Sequence, residues 1–83
     1  MEEYTYLIHH SRLTDNKRQI RCNFCLTNDD ITRINNSKII EIVHIVRLQN
    51  LTILKYRTLP FFELSKLQLV MNEFLTYKST KPI

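Results

Sequence analysis

Glycine and alanine are absent from this 83-residue sequence, and proline occurs only twice. Loops that cradle phosphate groups need glycine where the backbone approaches the ligand closely or takes a positive φ angle. The sequence therefore has no Walker loop and no GxGxxG fingerprint, and it lacks the glycine-bearing GxSxG, KH and RRM signatures. These absences exclude nucleotide-dependent catalysis through such loops and the RNA-binding modules that those signatures define.

The residues with GC-rich codons are replaced by Ile, Lys, Asn, Tyr and Phe, whose codons are AT-rich. This composition favours an AT-rich genome, such as that of a virus. The sequence shows no charged-then-apolar leader, and no apolar run approaches the roughly 18 residues of a membrane span. We therefore expect an intracellular protein, in the cytoplasm or the interior of an organelle or host cell, without membrane contact.

The length and composition predict one small globular domain, because hydrophobic residues make up 43% of the chain and charged residues 24%. A domain of this size buries only about 60% of the surface of its unfolded chain, so its core is marginal. We expect a single α+β domain over residues 1–77 and a flexible C-terminal tail over residues 78–83.

The first half of the sequence predicts a β-hairpin followed by a short helix. Residues 3–13 and 18–26 have strand patterns, and the turn-forming residues 14–17 lie between them. Thr27 is then a candidate N-cap with Asp29 and Asp30 in the first turn, and Ile31 and Ile34 have helical spacing. The alternative interpretation of residues 27–37 is a long loop with a tight turn.

The second half predicts a stronger hairpin and a longer helix. Residues 38–48 and 51–59 are rich in β-branched side chains, and only Gln49 and Asn50 separate them. After Pro60, residues 61–77 have helical periodicity. The expected architecture is therefore an antiparallel sheet of about four strands, in the order ββ(α)ββα, packed by the C-terminal helix. The expected hairpin pairs are Leu48 with Leu51, Val46 with Ile53, His44 with Lys55 and Ile42 with Arg57.

Both faces of this second hairpin are apolar, which predicts that both are covered. The C-terminal helix covers one face, and the other is covered either by the middle segment, through Ile31 and Ile34, or by a protein partner. Surplus apolar surface of this kind usually marks an interface. The candidate partner-binding residues are Phe62, Leu69, Ile40, Ile42, Val46 and Ile53.

Basic residues form a second candidate surface, since the formal net charge is +4 and the isoelectric point is about 9.3. Four aromatic residues, Tyr4, Tyr6, Phe24 and Tyr56, could stack on bases beside them. The candidate nucleic-acid-binding residues are Arg12, Lys17, Arg18 and Arg21 on the first hairpin, with Lys55 and Arg57 on the fourth strand.

A zinc site is the remaining candidate, because zinc takes four nitrogen or sulfur ligands. A turn centred on residues 15–16 would place His9 opposite Cys22. The possible ligands are His9, Cys22, Cys25 and either His10 or His44. Two cysteines three positions apart point to opposite faces of a regular strand, and the knuckle turn that would unite them usually contains glycine. We expect reduced thiols, no metal and no cofactor.

Catalysis has little support in the sequence, because its three histidines have no nucleophile whose placement beside them follows from the pattern. We expect a small non-catalytic interaction or regulatory protein without a small-molecule substrate, which self-associates or docks on a protein partner. The alternative is a protein that binds RNA or DNA through the basic hairpin.

Overall fold

A four-stranded antiparallel sheet carries two helices on one of its faces, and this confirms the expected α+β class. The structure is a computed structural model that describes residues 4–14 and 17–79. The strands lie side by side in the order β1-β2-β4-β3. In chain order the elements are β1 (Tyr6–His9), β2 (Gln19–Cys22), α1 (Asn28–Asn36), β3 (Ile40–Leu48), β4 (Leu51–Thr58) and α2 (Leu64–Ser79).

The β3–β4 hairpin turns at Gln49 and Asn50, as predicted. Asn50 takes a φ of 61°, a left-handed conformation that asparagine adopts more readily than most residues. The predicted pairs Leu48 with Leu51, Val46 with Ile53 and His44 with Lys55 are confirmed. The turn residues therefore fix the register of this hairpin over its first half.

A β-bulge changes the register further from the turn. Ile42 lies opposite Tyr56 and not, as predicted, opposite Arg57, because Val43 is an extra residue in β3. The shift turns Ile40 and Ile42 towards the face that also carries Tyr56. Ile40 is fully buried there, so the bulge places two isoleucines in the core that a regular strand would direct to the opposite face.

The β1–β2 register also differs from the prediction. Tyr6 lies opposite Cys22, whereas a turn at residues 15–16, which lie outside the described residues, would have placed His9 there. Both strands are shorter than predicted. At the end of β1 the chain leaves the sheet after His9, and the Ser11 hydroxyl accepts the N–H groups of Leu13 and Thr14. The observed register directs Tyr6 and Ile8 to the core and His9 to solvent.

One hydrophobic core lies between the sheet and both helices. Ile31 and Ile34 of α1 belong to the same buried cluster as Leu67 and Met71 of α2. The segment over residues 27–37 thus contains a helix, but this helix packs on the same sheet face as α2 and does not cover the opposite face of the β3–β4 hairpin. The other buried apolar members are Ile20, Cys22, Phe24, Leu26, Ile39, Ile40, Leu54, Tyr56 and Phe74.

A capping box begins α1 at the predicted residue. The Thr27 hydroxyl accepts the Asp30 N–H at 3.1 Å, and the Asp30 carboxylate accepts the Thr27 N–H at 3.0 Å. The Lys78 ammonium lies 3.4 Å from the same carboxylate. Burial raises the pKa of Asp30, but the hydrogen bonds from Thr27 and the charge of Lys78 outweigh it, so the pKa lies below its ordinary value.

The boundaries of α2 differ from the predicted 61–77. The helix begins at Leu64, after the Phe62 N–H has closed a turn on the Leu59 carbonyl. It continues through Ser79, so the first two residues of the predicted tail are helical, and the Lys78 contact with α1 accounts for this extension. Residues 80–83 of that tail lie outside the described residues.

Candidate functional site on the open face of the sheet

The sheet face opposite the two helices is the candidate site, and we name it the open face. Residues paired across the strands share a face, so the register assigns its members. Two rows across the sheet lie nearest the β3–β4 turn, and two lie nearest the β1–β2 loop. From the turn outward, the rows are Leu51 and Leu48; Leu7, Arg21, Ile53 and Val46; His9, Gln19, Lys55 and His44; and Arg57 and Glu41.

The two rows nearest the turn contain five aliphatic residues and the exposed Arg21. We name the aliphatic residues the apolar half: Leu7, Val46, Leu48, Leu51 and Ile53. Leu7 is 57% exposed and Leu48 is 56% exposed, while the other three are half-buried. Leu7, Leu51 and Arg21 also line a shallow hollow of about 210 Å³. The apolar half thus presents aliphatic side chains on strands whose backbones are held by the hydrogen bonds between paired strands.

The two rows nearest the loop form a basic half, in which Lys55 and Arg57 are exposed beside His9 and His44. Arg57 is paired with Glu41, the one acidic residue among the described strand positions of this face. The exposed Arg12 and Lys17 lie in the loop at the same end of the sheet. The open face is therefore divided into an apolar end and a basic end.

The predicted basic residues are not equivalent in the structure. Arg18 is half-buried, and its guanidinium donates to the Ser11 carbonyl at 3.0 Å and to the Thr58 hydroxyl at 3.2 Å. These bonds hold the β1–β2 loop against the end of β4. Arg21 is exposed on the open face, in the row of Leu7 and Ile53.

The predicted stacking aromatics lie away from the open face. Tyr56 is 1% exposed, and its hydroxyl lies 2.8 Å from Nδ1 of His10. Burial raises the pKa of Tyr56 to about 12, against the opposing charge of Arg18. Tyr6 donates to the Asn72 side chain of α2 at 2.7 Å. Phe24 is buried in the core, and its ring lies 5.6 Å from that of Tyr4. The four predicted aromatic rings are therefore not placed beside the basic residues of the open face for base stacking.

The predicted partner-binding residues separate into four groups. Val46 and Ile53 lie on the open face, whereas Ile40 and Ile42 lie on the covered face, and the complete burial of Ile40 removes it from any interface. Phe62 is half-buried, and its ring stacks on that of His10 at 4.8 Å, so it packs within the chain. Leu69 is 63% exposed on α2, on the other side of the molecule from the open face.

Leu7, Leu48 and Leu51 were not among the predicted partner-binding residues. The apolar faces of the second hairpin indicated Leu48 and Leu51, since both belong to the same predicted face as Val46 and Ile53. Leu7 could be assigned to this patch only from the β1–β2 register. Its exposure depends on the placement of Ile8 in the core.

The possible zinc ligands are not brought together. Cys22 lies in the core, where burial raises the pKa of its thiol to about 12, and His9 lies on the open face. Cys25 is exposed and unbridged. Within residues 4–14 and 17–79, no cluster of three or more His, Cys, Asp or Glu side chains could hold a metal ion.

The edges of the sheet offer little to an added strand. On β3, the Asn35 side chain accepts the Ile42 N–H at 3.0 Å, and the bulge at Val43 interrupts the edge. On the opposite edge, β1 has only four residues. An incoming partner therefore finds more accessible surface on the open face than along either edge.

Neither α1 nor α2, the helices of the described chain, has the length and apolarity that crossing a membrane requires. Comparisons with protein-family models, with curated proteins and with solved structures found no match.

Proposed function

We propose that this protein is a small non-catalytic interaction protein that forms a homodimer through the apolar half of its open face. The observation that carries the proposal is the exposure of Leu7 and Leu48 beside three further aliphatic residues on a sheet face that neither helix covers. Aliphatic side chains grouped in this way gain free energy when another apolar surface removes them from water.

The distribution of charge supports a second copy of the chain as the occupant. A two-fold interface brings each surface patch against itself, so an apolar patch is self-complementary and a basic patch is not. With the axis at the turn end of the apolar half, beside Leu48 and Leu51, the aliphatic residues of the two copies meet, and the Arg21 side chain of each copy lies away from the axis on β2. Lys55 and Arg57 of each copy then lie towards opposite ends of the dimer, where like charges are kept apart.

The surroundings of the nucleophilic and basic side chains support a non-catalytic role. The His10 ring is held between the Tyr56 hydroxyl and the Phe62 ring. The buried Cys22 thiol, with its raised pKa, stays protonated at neutral pH and is a poor nucleophile. A nucleophile and a general base in mutual reach are the usual sign of covalent catalysis, and these two groups do not supply it.

Sedimentation of two matched variants tests the homodimer. Leu48→Glu and Leu69→Glu make the same change at residues that are 56% and 63% exposed, on opposite sides of the molecule. Completing the burial of Leu48 contributes about 1 kcal/mol, since full burial of a leucine is worth about 1.5–3 kcal/mol. A two-fold interface counts that contribution twice, so Leu48→Glu raises the dimer Kd at least about 30-fold.

The expected result is a dimer at micromolar concentration for the unmodified chain and for Leu69→Glu, and a monomer for Leu48→Glu. Circular dichroism checks that both variants keep the fold. A monomeric unmodified chain throughout the micromolar range contradicts the proposal. Dissociation by Leu69→Glu alone would move the interface to α2.

A further inference from the structure

We infer that the basic half of the open face binds the phosphate backbone of a nucleic-acid duplex without regard to sequence. The dimer interface described above leaves this half unused. Lys55 and Arg57 are two residues apart on β4, and Arg12 and Lys17 lie in the β1–β2 loop at the same end of the sheet. All four side chains are exposed hydrogen-bond donors, and phosphate oxygens are acceptors.

The composition of the basic half favours phosphate over an acidic protein. Its two rows contain no aliphatic side chain among the described strand residues, since their members are histidine, glutamine, lysine, arginine and Glu41. Protein interfaces take most of their binding energy from buried aromatic, arginine or aliphatic anchors at their centre. Contacts with phosphate need only positioned donors and positive charge, which this half supplies.

The position of the aromatic residues favours a duplex over a single strand. Proteins that bind single strands stack successive bases on exposed aromatic rings. On the strands of this sheet the aromatic residues are Tyr6 and Tyr56, and both face the helices. A duplex keeps its bases stacked internally and presents phosphates outward, so it can bind a surface whose described strand residues supply donors and the imidazoles of His9 and His44 but no Phe or Tyr ring.

The arrangement is complete within one protomer, so the inference does not depend on the homodimer. Arg57 is bonded to Glu41, which orients its guanidinium along the face. Among the residues that the structure describes, the charge of the region that has no acidic partner comes mainly from Arg12, Lys17 and Lys55. Arg57 adds the remaining donors of its planar fork.

Fluorescence anisotropy with a short random-sequence DNA duplex, as a function of salt concentration, measures the number of phosphate contacts. Four contacts predict a slope of about −3.6 in a plot of log K against log salt concentration, which is a loss of about 10²-fold between about 50 and 200 mM salt. The double variant Lys17→Gln/Lys55→Gln halves the slope, and its loss over the same range falls to about 10-fold.

The matched control is Lys38→Gln/Lys66→Gln, which removes the same net charge from the exposed Lys38 and Lys66 outside the open face and is expected to keep the original slope. Equal losses in the two double variants would overturn the inference, as would undetectable binding at low salt. Tighter binding of the separated single strand would overturn the choice of a duplex. Binding of labelled poly-glutamate as tight as that of the duplex would assign the surface to acidic protein instead.

Discussion

Replacing Thr52 with valine removes two hydrogen bonds from the centre of the fold. Thr52 lies fully buried on β4, where its hydroxyl donates to the Phe24 carbonyl at 2.9 Å and accepts the Leu26 N–H at 3.2 Å. These bonds attach the segment between β2 and α1 to the sheet. The segment leads directly into the Thr27 cap, so Thr52 holds the chain that enters α1 against the sheet.

The expected cost is large because valine has nearly the same volume as threonine but cannot make either bond. Each bond contributes about 1 kcal/mol net, and a buried donor or acceptor left without a partner costs about 1–3 kcal/mol. No cavity is formed and the strand propensity of the position is kept. We therefore expect Thr52→Val to lower the free energy of unfolding by about 2–4 kcal/mol.

Urea unfolding followed by circular dichroism measures this loss, and Thr58→Val is the control. Thr58 lies on the same strand but is half-buried, and its hydroxyl accepts a hydrogen bond from the Arg18 guanidinium, which water can replace. We expect the control to lose less than about 1 kcal/mol. A loss below about 0.5 kcal/mol for Thr52→Val would refute the role given to this hydroxyl.

Two further predictions concern titratable groups. Iodoacetamide should add to the exposed Cys25 alone in the folded protein and to both cysteines in denaturant, because Cys22 is buried with a raised pKa. Mass spectrometry counts the adducts, and two adducts in the folded state would contradict the burial of Cys22. Asp30→Asn should lower the free energy of unfolding at pH 7 by about 1 kcal/mol relative to the exposed-site control Asp29→Asn. Because the folded pKa of Asp30 lies below its ordinary value of 3.8, the stability that the carboxylate contributes is present above that value and is lost as the pH falls through the folded pKa. A stability difference between Asp30→Asn and Asp29→Asn that stays unchanged in acid would contradict the contact with Lys78.

Features that depend on neighbouring residues were predictable from the sequence. The Thr27 cap and the turn at Asn50 are each determined within a few residues, and both are confirmed. The helical periodicity of residues 61–77 is likewise a local pattern, and Leu67 and Met71, four residues apart on α2, are both buried.

Features that depend on which side chains become buried were not predictable. The bulge at Val43 has no local signature here, and it is the change that directs Ile40 and Ile42 into the core. The β1–β2 register depends on Tyr6 and Ile8 packing against the core, and no turn motif sets it. The open face follows from both features, so its outline could be obtained only from the folded chain.

The most direct test of the homodimer interface is a dilution series of ¹H–¹⁵N NMR spectra from millimolar to low micromolar concentration. If the apolar half is the interface, the amides whose shifts change with concentration will cluster at Leu7, Val46, Leu48, Leu51 and Ile53, and those near Leu69 on α2 will stay constant. Shifts that do not change with concentration, or that change only along α2, would contradict the account.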